Sequence, residues 1–239
     1  MTFKFSIITV CYNASATIGQ TIASVLGQTY GNLEYIVIDG KSTDGTISIF
    51  QGIQDRRLKF ISEKDTGIYN AMNKGLRLAS GDYLIFLGAD DTFFDEDVLA
   101  KVAGKASEGN DVLYGDVMLK TRRRLYDGPF SRWTWGHRNI CHQSIFYPRA
   151  VYSNYNYDEA YRAVADWDYN LRLLADGIRF AYIGETICTY NDADGLSSNS
   201  KDSEFLKLRR QKVCQAVGVL PYCWGLVQRA KRKLLNEKW

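Results

Sequence analysis

Tyr83-Leu84-Ile85-Phe86-Leu87-Gly88-Ala89-Asp90-Asp91 runs five apolar residues into a turn of small residues and then into two adjacent carboxylates. A short, continuous apolar run of this kind reads as a strand buried on both faces, which places it in a parallel sheet covered by helices. Ligands of such sheets collect beyond the carboxyl ends of the strands. Asp90 and Asp91 stand at such an end, and paired hard oxygen ligands there suit Mg2+ or Mn2+ held against a diphosphate. Aspartate also opens turns and caps helices, and Thr92-Phe93-Phe94-Asp95 leads into a further helix, so the pair has a plain structural reading as well.

Outward from this strand the same alternation repeats. Phe5 to Val10 reads as a strand, and Ala16 to Gln28 as a helix with Ile18, Ile22, Val25 and Leu26 on one face. Tyr35 to Ile38 is a second strand, followed by a helix over Thr46 to Ile53. Leu58 to Ile61 is a third strand, followed by a helix from Ile68 to Ala79. Strand and helix alternation predicts an α/β fold whose first half is a parallel, Rossmann-like sheet with helices on both faces. Val10, Tyr12 and Asn13 follow strand one, Asp39 ends strand two, and Glu63 and Asp65 lie past strand three. Four loops therefore converge on one crevice with Asp90 and Asp91. A dinucleotide enzyme would need a glycine-rich turn after strand one, and Val10-Cys11-Tyr12-Asn13-Ala14-Ser15 has none, which disfavours hydride transfer.

A chain of 239 residues with 46% apolar content can bury one large α/β core. No apolar run approaches the roughly 20 residues of a membrane span, and the amino terminus runs directly into a strand, so a cytoplasmic protein is expected. Five cysteines, widely separated and without a C-x-x-C pair, read as reduced thiols. The net charge of +3 is unevenly distributed: from Phe205 onward nine basic residues face Glu237 alone, which leaves the remainder acidic. An acidic main body without a recognition motif argues against nucleic-acid binding.

The segments Ser6–Asn13, Glu34–Thr46, Ser62–Gly75 and Gly81–Asp91 together resemble a family 2 glycosyltransferase of the GT-A fold, densely over the first hundred residues and more loosely to about Ser198. The resemblance implies a nucleoside diphosphate sugar donor of UDP, GDP or dTDP type, a divalent metal, and transfer with inversion to a glycan or lipid-linked glycan, at family level in bacterial surface polysaccharide synthesis. It places Tyr12 against the base with Val10 and Asn13 lining the pocket, and Asp39 and Asp65 on base, ribose or sugar. Lys74 would face the diphosphate. In the family's D-x-D motif the last acid binds the metal. Gly88 stands where the first would be, so Asp91 is assigned to the metal and Asp90 to ribose or the metal's surroundings. Asn70 stands where many relatives carry Asp.

An inverting transfer requires a base for the acceptor hydroxyl. Val164-Ala165-Asp166-Trp167-Asp168 resembles the family's acidic motif at a helix start, with Ala165 replacing the usual Glu, which makes Asp166 the base and Asp168 the fallback. Trp133, Trp135, His137, His142 and Trp167 supply rings and imidazoles for an acceptor wall, since aromatic faces stack on sugars. His142 resembles a family element near the acceptor. Arg179–Ile183 and Thr186–Tyr190 read as two closing strands before Asn191–Ser198, a polar stretch that in the family folds over the diphosphate.

These readings divide the chain into a GT-A domain over 1–200, with a nucleotide-sugar half over 1–100 and an acceptor half over 101–200, and a basic helical tail over 201–239. Helices are expected over Ser203–Val217 and Pro221–Leu235, the second amphipathic and suited to peripheral contact with the inner membrane face. Two other functions fit a similar fold. A sugar nucleotidyltransferase would show a glycine- and basic-rich activation loop near the amino terminus, and a silent sugar-binding scaffold would tolerate loss of Asp39, Asp91 and Asp166.

Overall fold

Strand β1 (Phe5–Cys11) lies between β2 (Leu33–Asp39) and β4 (Tyr83–Phe86), parallel to both, and β3 (Leu58–Ser62) extends the parallel set beyond β2. The computed structural model describes residues 2–106, 111–126, 128–193 and 202–234. The connections are α1 (Ile18–Leu26), α2 (Thr46–Gln51) and α3 (Ile68–Leu78), so the expected alternation is present. Strand side chains alternate between two cores. Ile8, Ile36 and Leu84 face α3, while Ile7, Val37 and Ile85 face α1 and α2. Gly75 allows α3 to lie directly on β1, because a Cβ there would sit 2.6 Å from Ile8 Cγ2.

The second half of the sheet is mixed. After β5 (Thr92–Phe93) and α4 (Val98–Lys105), β6 (Val112–Leu119) and β7 (Arg124–Tyr126) form an antiparallel hairpin. α5 (Arg132–Trp135) and a 3-10 turn over His142–Ser144 precede β8 (Ile145–Pro148), which pairs antiparallel with β4 and β6 and joins the halves. α6 (Arg149–Tyr152) and α7 (Ala165–Ala175) follow, then β9 (Phe180–Tyr190), parallel to β6. The strand path is β3-β2-β1-β4-β8-β6-β9-β5.

The two strands expected between Arg179 and Tyr190 are one, β9, whose register against β6 shifts between Tyr114 and Val117. Gly184, at φ 72°, takes up the bend. The bulged backbone passes so close to β6 that a Cβ at Gly115 would collide with the Glu185 carbonyl. The tail forms α8 (Ser203–Val217) and α9 (Val219–Leu234). α8 packs on α7, burying Phe205 and Val213 in the same core as Tyr169 and Leu173.

Candidate active site

The loops after β1, β2 and β3 are tied to one another by hydrogen bonds rather than by side-chain bulk. Gly40 N–H donates to the Cys11 carbonyl and Glu63 N–H to the Asp39 carbonyl, each at 2.9 Å. Asn13, in the left-handed region at φ 51°, donates its N–H to Ser42 Oγ at 2.8 Å and accepts from Thr43 N–H at 2.9 Å. Asparagine tolerates this conformation because its short polar side chain bonds locally. Above this frame Tyr12 is 63% exposed, and its ring can stack on a flat ligand. A Cβ at Gly40 would lie 2.6 Å from Asp65 Oδ2 and 3.4 Å from Tyr12 Cδ2, so Tyr12, Gly40 and Asp65 border one small space. Val10 is partly buried at the end of β1 behind them.

Asp39 is fully buried. It accepts from Ser42 N–H at 3.0 Å, from Ser62 Oγ at 2.6 Å and from the Ser42 hydroxyl, and the Cys11 thiol lies 3.7 Å away. As it stands, this carboxylate braces the β2 loop from below, where the sequence had suggested direct contact with base or ribose. Lys74 is similarly engaged: its ammonium donates to the Lys64 carbonyl at 2.7 Å and pairs with Glu63 at 2.8 Å.

Asp90 and Asp91 close around Gly88. A Cβ at that glycine would collide with Asp91 Oδ2 and lie 3.2 Å from Asp90 Oδ1, so the absence of a side chain leaves a cradle lined by both carboxylates. Asp91 is 1% exposed, with Gln143 Nε2 donating to Oδ2 at 3.1 Å and Asn191 N–H to Oδ1 at 2.8 Å. The Asn191 amide donates to Asp90 Oδ2 at 2.8 Å. Burial first, and the Asp90 charge after it, push the Asp91 carboxyl up to about 7. Two carboxylates lining one cradle, one of them in an environment that resists ionisation without a counter-ion, fit a small hard divalent cation that keeps part of its coordination for water and phosphate.

Asp166 stands on the first turn of α7, its side chain 18% exposed. Asn139 donates to Oδ2 at 2.8 Å, Tyr69 OH to Oδ1 at 3.4 Å, and His142 Nδ1 lies 3.9 Å from Oδ2. Burial raises the Asp166 carboxyl above its usual range, with His142 opposing, and burial lowers His142. Asn139 is itself held by Asn170, which donates at 2.9 Å and accepts from Tyr147 OH at 2.8 Å. A carboxylate of raised basicity, held by a relay yet open to solvent, is suited to take a proton from a hydroxyl.

The two acidic centres are joined by adjacent residues. His142 faces Asp166 and Gln143 bonds Asp91, both within the three-residue turn His142–Ser144. The Cys141 thiol donates to Gln143 Oε1 at 2.9 Å, which leaves the amide NH2 pointing to Asp91. The sequence assigned no role to Asn139, grouped Gln143 with His142 and Ser144 as an element near the acceptor, and put Asn191 in the stretch that in the family folds over the diphosphate; their direct bonds to Asp166, Asp91 and Asp90 were not foreseen. The clue available was their spacing around His142 and after the last strand, because an amide carries no chemistry of its own that singles it out.

Three expected site residues serve the scaffold. Asp168, the fallback base, is 1% exposed and paired with Arg172 at 3.0 Å and with Lys212 from α8. Trp167 packs against Phe205 with ring centroids 5.4 Å apart, beneath the guanidinium of Arg209 at 5.1 Å, so it faces the tail where an acceptor wall was expected. His137 bonds the Trp133 carbonyl through Nδ1 at 3.1 Å. Of the stretch Asn191–Ser198, residues 194–198 lie outside the described residues, as does Leu235 of the tail.

Asn70 has a local explanation. Its amide donates to Glu159 Oε2 at 2.9 Å while Asn73 donates to Oε1 at 2.9 Å and to the Tyr157 carbonyl at 2.9 Å. A carboxylate at position 70 would set like charges together, so the amide and Glu159 form a matched pair.

The sequence profile described as Glycosyl transferase family 2 matches residues 6–164. Over 212 residues the chain is 39% identical to the PGL/p-HBAD biosynthesis glycosyltransferase of Mycobacterium bovis (strain BCG / Pasteur 1173P2), covering 85% of this chain and 82% of that one. It is 32% identical over 217 residues to an uncharacterized glycosyltransferase of Mycobacterium tuberculosis (strain ATCC 25618 / H37Rv), covering 86% and 81%. Among solved structures, S. aureus TarS 1-349 in complex with UDP-GlcNAc superposes with a TM-score of 0.74 at 19% identity, covering 89% of this chain and 66% of that one. The mannosyltransferase PcManGT from Pyrobaculum calidifontis in complex with GDP-Man and Mn2+ gives 0.65 at 16% identity, covering 98% and 76%. At such identities the likeness establishes the fold, the GT-A α/β architecture.

Proposed function

The chain belongs to glycosyl transferase family 2, and from that premise we propose that it transfers a sugar, with inversion, from a nucleoside diphosphate sugar to a glycan or lipid-linked glycan. The observation that carries this reading is the link through His142 and Gln143 between the Asp91 cradle and Asp166. It supports one pocket in which diphosphate and acceptor meet.

In this reading Tyr12 stacks on the base, with Val10, Asn13 and Asp65 lining its pocket, and Asp39 keeps the β2 loop in shape. Asp91 and Asp90 hold Mg2+ or Mn2+, which when bound offsets charge on the diphosphate leaving group. Lys74 reaches the diphosphate by exchanging Glu63 for phosphate. Asp166 accepts the acceptor proton, and Asn139 and His142 orient it. The nucleotide half is 1–100, the acceptor half 101–200, and 201–239 the tail, at the cytoplasmic face of a membrane where surface glycans are assembled. That solved relatives bind UDP-GlcNAc, or GDP-Man with Mn2+, supports the donor class and the cation.

Incubation with a panel of UDP, GDP and dTDP sugars, Mn2+ and glycan acceptors is expected to release nucleoside diphosphate. Asp91→Ala abolishes both the metal-dependent turnover and the metal-dependent binding of nucleoside diphosphate measured by calorimetry. Full metal-dependent turnover by Asp91→Ala overturns the assignment. Metal-dependent nucleotide binding without transfer to any acceptor favours the sugar-binding scaffold.

A further inference from the structure

We propose that the outward face of α9 is a docking surface for an anionic lipid bilayer. This helix carries its apolar side away from the domain. Successive residues of an α-helix turn by about 100°, which puts Val219, Leu220, Leu226, Val227 and Leu234 on one side. All five are exposed, Leu220 at 69% and Leu234 at 85%. The inward side is made of Pro221, Gly225 and Arg229, whose guanidinium lies over the Trp167 ring at 5.8 Å. Backbone contact explains the inversion: a Cβ at Gly225 would collide with the Gly136 carbonyl, and one at Gly136 with the Pro221 carbonyl. The glycine seam lets α9 dock on α5 without a large apolar side chain between them, and the apolar stripe is left outside.

Charge selects the occupant. α9 carries no acidic residue, and while its Arg229 and Arg232 turn toward the domain near Trp167 and His137, its outward side keeps a cation. Lys231 is exposed beside the stripe. At the corner between α8 and α9 the exposed Arg132 lies over the Trp133 ring at 5.9 Å, and Trp133 meets Trp224 edge to face at 6.3 Å. Both tryptophans are exposed. An apolar stripe bordered by tryptophan and by cations is the composition of a helix lying in a membrane interface, where lipid phosphates meet the cations. A second copy of the same face would set cations against cations with no acid on the helix to receive them. Among the described residues no helix is long and apolar enough to cross a bilayer, so the contact is peripheral.

The consequence for catalysis rests on the proposed function. Arg229 of α9 covers Trp167, the neighbour of Asp166 on α7. A bilayer under α9 is thus separated from the proposed base by that helix, and a lipid-linked acceptor would arrive from the same side.

The test is flotation of the full chain with vesicles of phosphatidylglycerol and phosphatidylcholine in equal parts, against phosphatidylcholine alone, at low and high salt. Binding to the anionic vesicles is expected, weakened by salt, and reduced on the order of tenfold in the double variant Leu220→Ser and Val227→Ser. Donor turnover without vesicles, run in parallel, should be the same in both proteins, which separates failure of docking from failure of the enzyme reading. Equal flotation of parent and double variant overturns the proposal. So does a dimer in sedimentation that the double variant abolishes while neither protein floats.

Discussion

The side-chain amide of Asn191 donates to Asp90 at 2.8 Å, and the same residue's backbone N–H donates to Asp91 at 2.8 Å. The residue immediately after β9 therefore fastens the end of that strand to both carboxylates. In Asn191→Ala the amide donor is lost and the like charges are less offset. The metal-free chain is expected to lose about 1 kcal/mol in urea unfolding, while Mn2+ binding by calorimetry is retained. Loss of Mn2+ binding would instead make Asn191 part of the ligand set.

The Asp91 carboxyl, raised to about 7 by burial and then by Asp90, is a linkage statement. A carboxyl whose folded value exceeds its unfolded one contributes stability that is present below the unfolded value, about 3.9, and lost as pH rises through the folded value. The metal-free chain thus loses this contribution between the two, and a cation that binds the ionised form restores it. The rise in melting temperature on adding Mn2+ should grow between about pH 5.5 and pH 8, and this growth should vanish in Asp91→Asn. A rise independent of pH would mean the cation binds elsewhere.

Asp166→Asn should leave nucleotide binding intact and lower transfer by roughly a hundredfold or more. Because burial holds the Asp166 carboxyl above its usual range, transfer by the parent enzyme should climb on the acid side with a midpoint above that of a free carboxylate. Asn139 favours the ionised form by donating to it at 2.8 Å, so Asn139→Ala should move that limb to higher pH. An unmoved limb would remove Asp166 as the titrating base.

Asn70→Asp sets a carboxylate against Glu159, which Asn73 and then Asn70 hold below the usual glutamate range. The pair is near the surface, so the cost at neutral pH should be about 0.5 kcal/mol. A lowered carboxyl contributes stability above its unfolded value and loses it as pH falls, so the penalty should shrink under acid. Glu159→Gln in the same chain should cancel it in a double-mutant cycle of urea midpoints.

The parallel half of the fold was legible because its strands are continuous apolar runs and its helices carry one apolar face: Phe5–Val10 and Ile68–Ala79 were placed within a residue of β1 and α3. Around β9 the pattern misled. Gly184 reads as a break, yet opposite Gly115 it makes a bulge inside one strand, and that pairing is visible only in three dimensions. Although each alone could equally open a turn or cap a helix, the acidic site residues stood out because carboxylates at several strand ends and one helix start converge in a motif order that resembles one family. Their orientation did not. Asp39 and Asp168 look alike in sequence to Asp65 and Asp166, and only burial and partners distinguish a brace from an accessible acid. The amides that connect the site carry no charge pattern, and Trp167 was misread because its neighbours on α8 lie about forty residues downstream.

The ion pair between Asp168 and Lys212 also determines how the chain can be cut. A fragment ending before α8 would strip a carboxylate that is 1% exposed of its ammonium partner and open the pocket filled by Phe205. Asp168 would keep Arg172 alone, and the burial lost around a large aromatic side chain such as Phe205 costs about 1.5–3 kcal/mol, a large share of a typical domain's stability. The thirty-odd residues of α8 and α9 are therefore foundation for the helix that bears Asp166, and trimming them for crystallisation or expression removes footing from the proposed base itself.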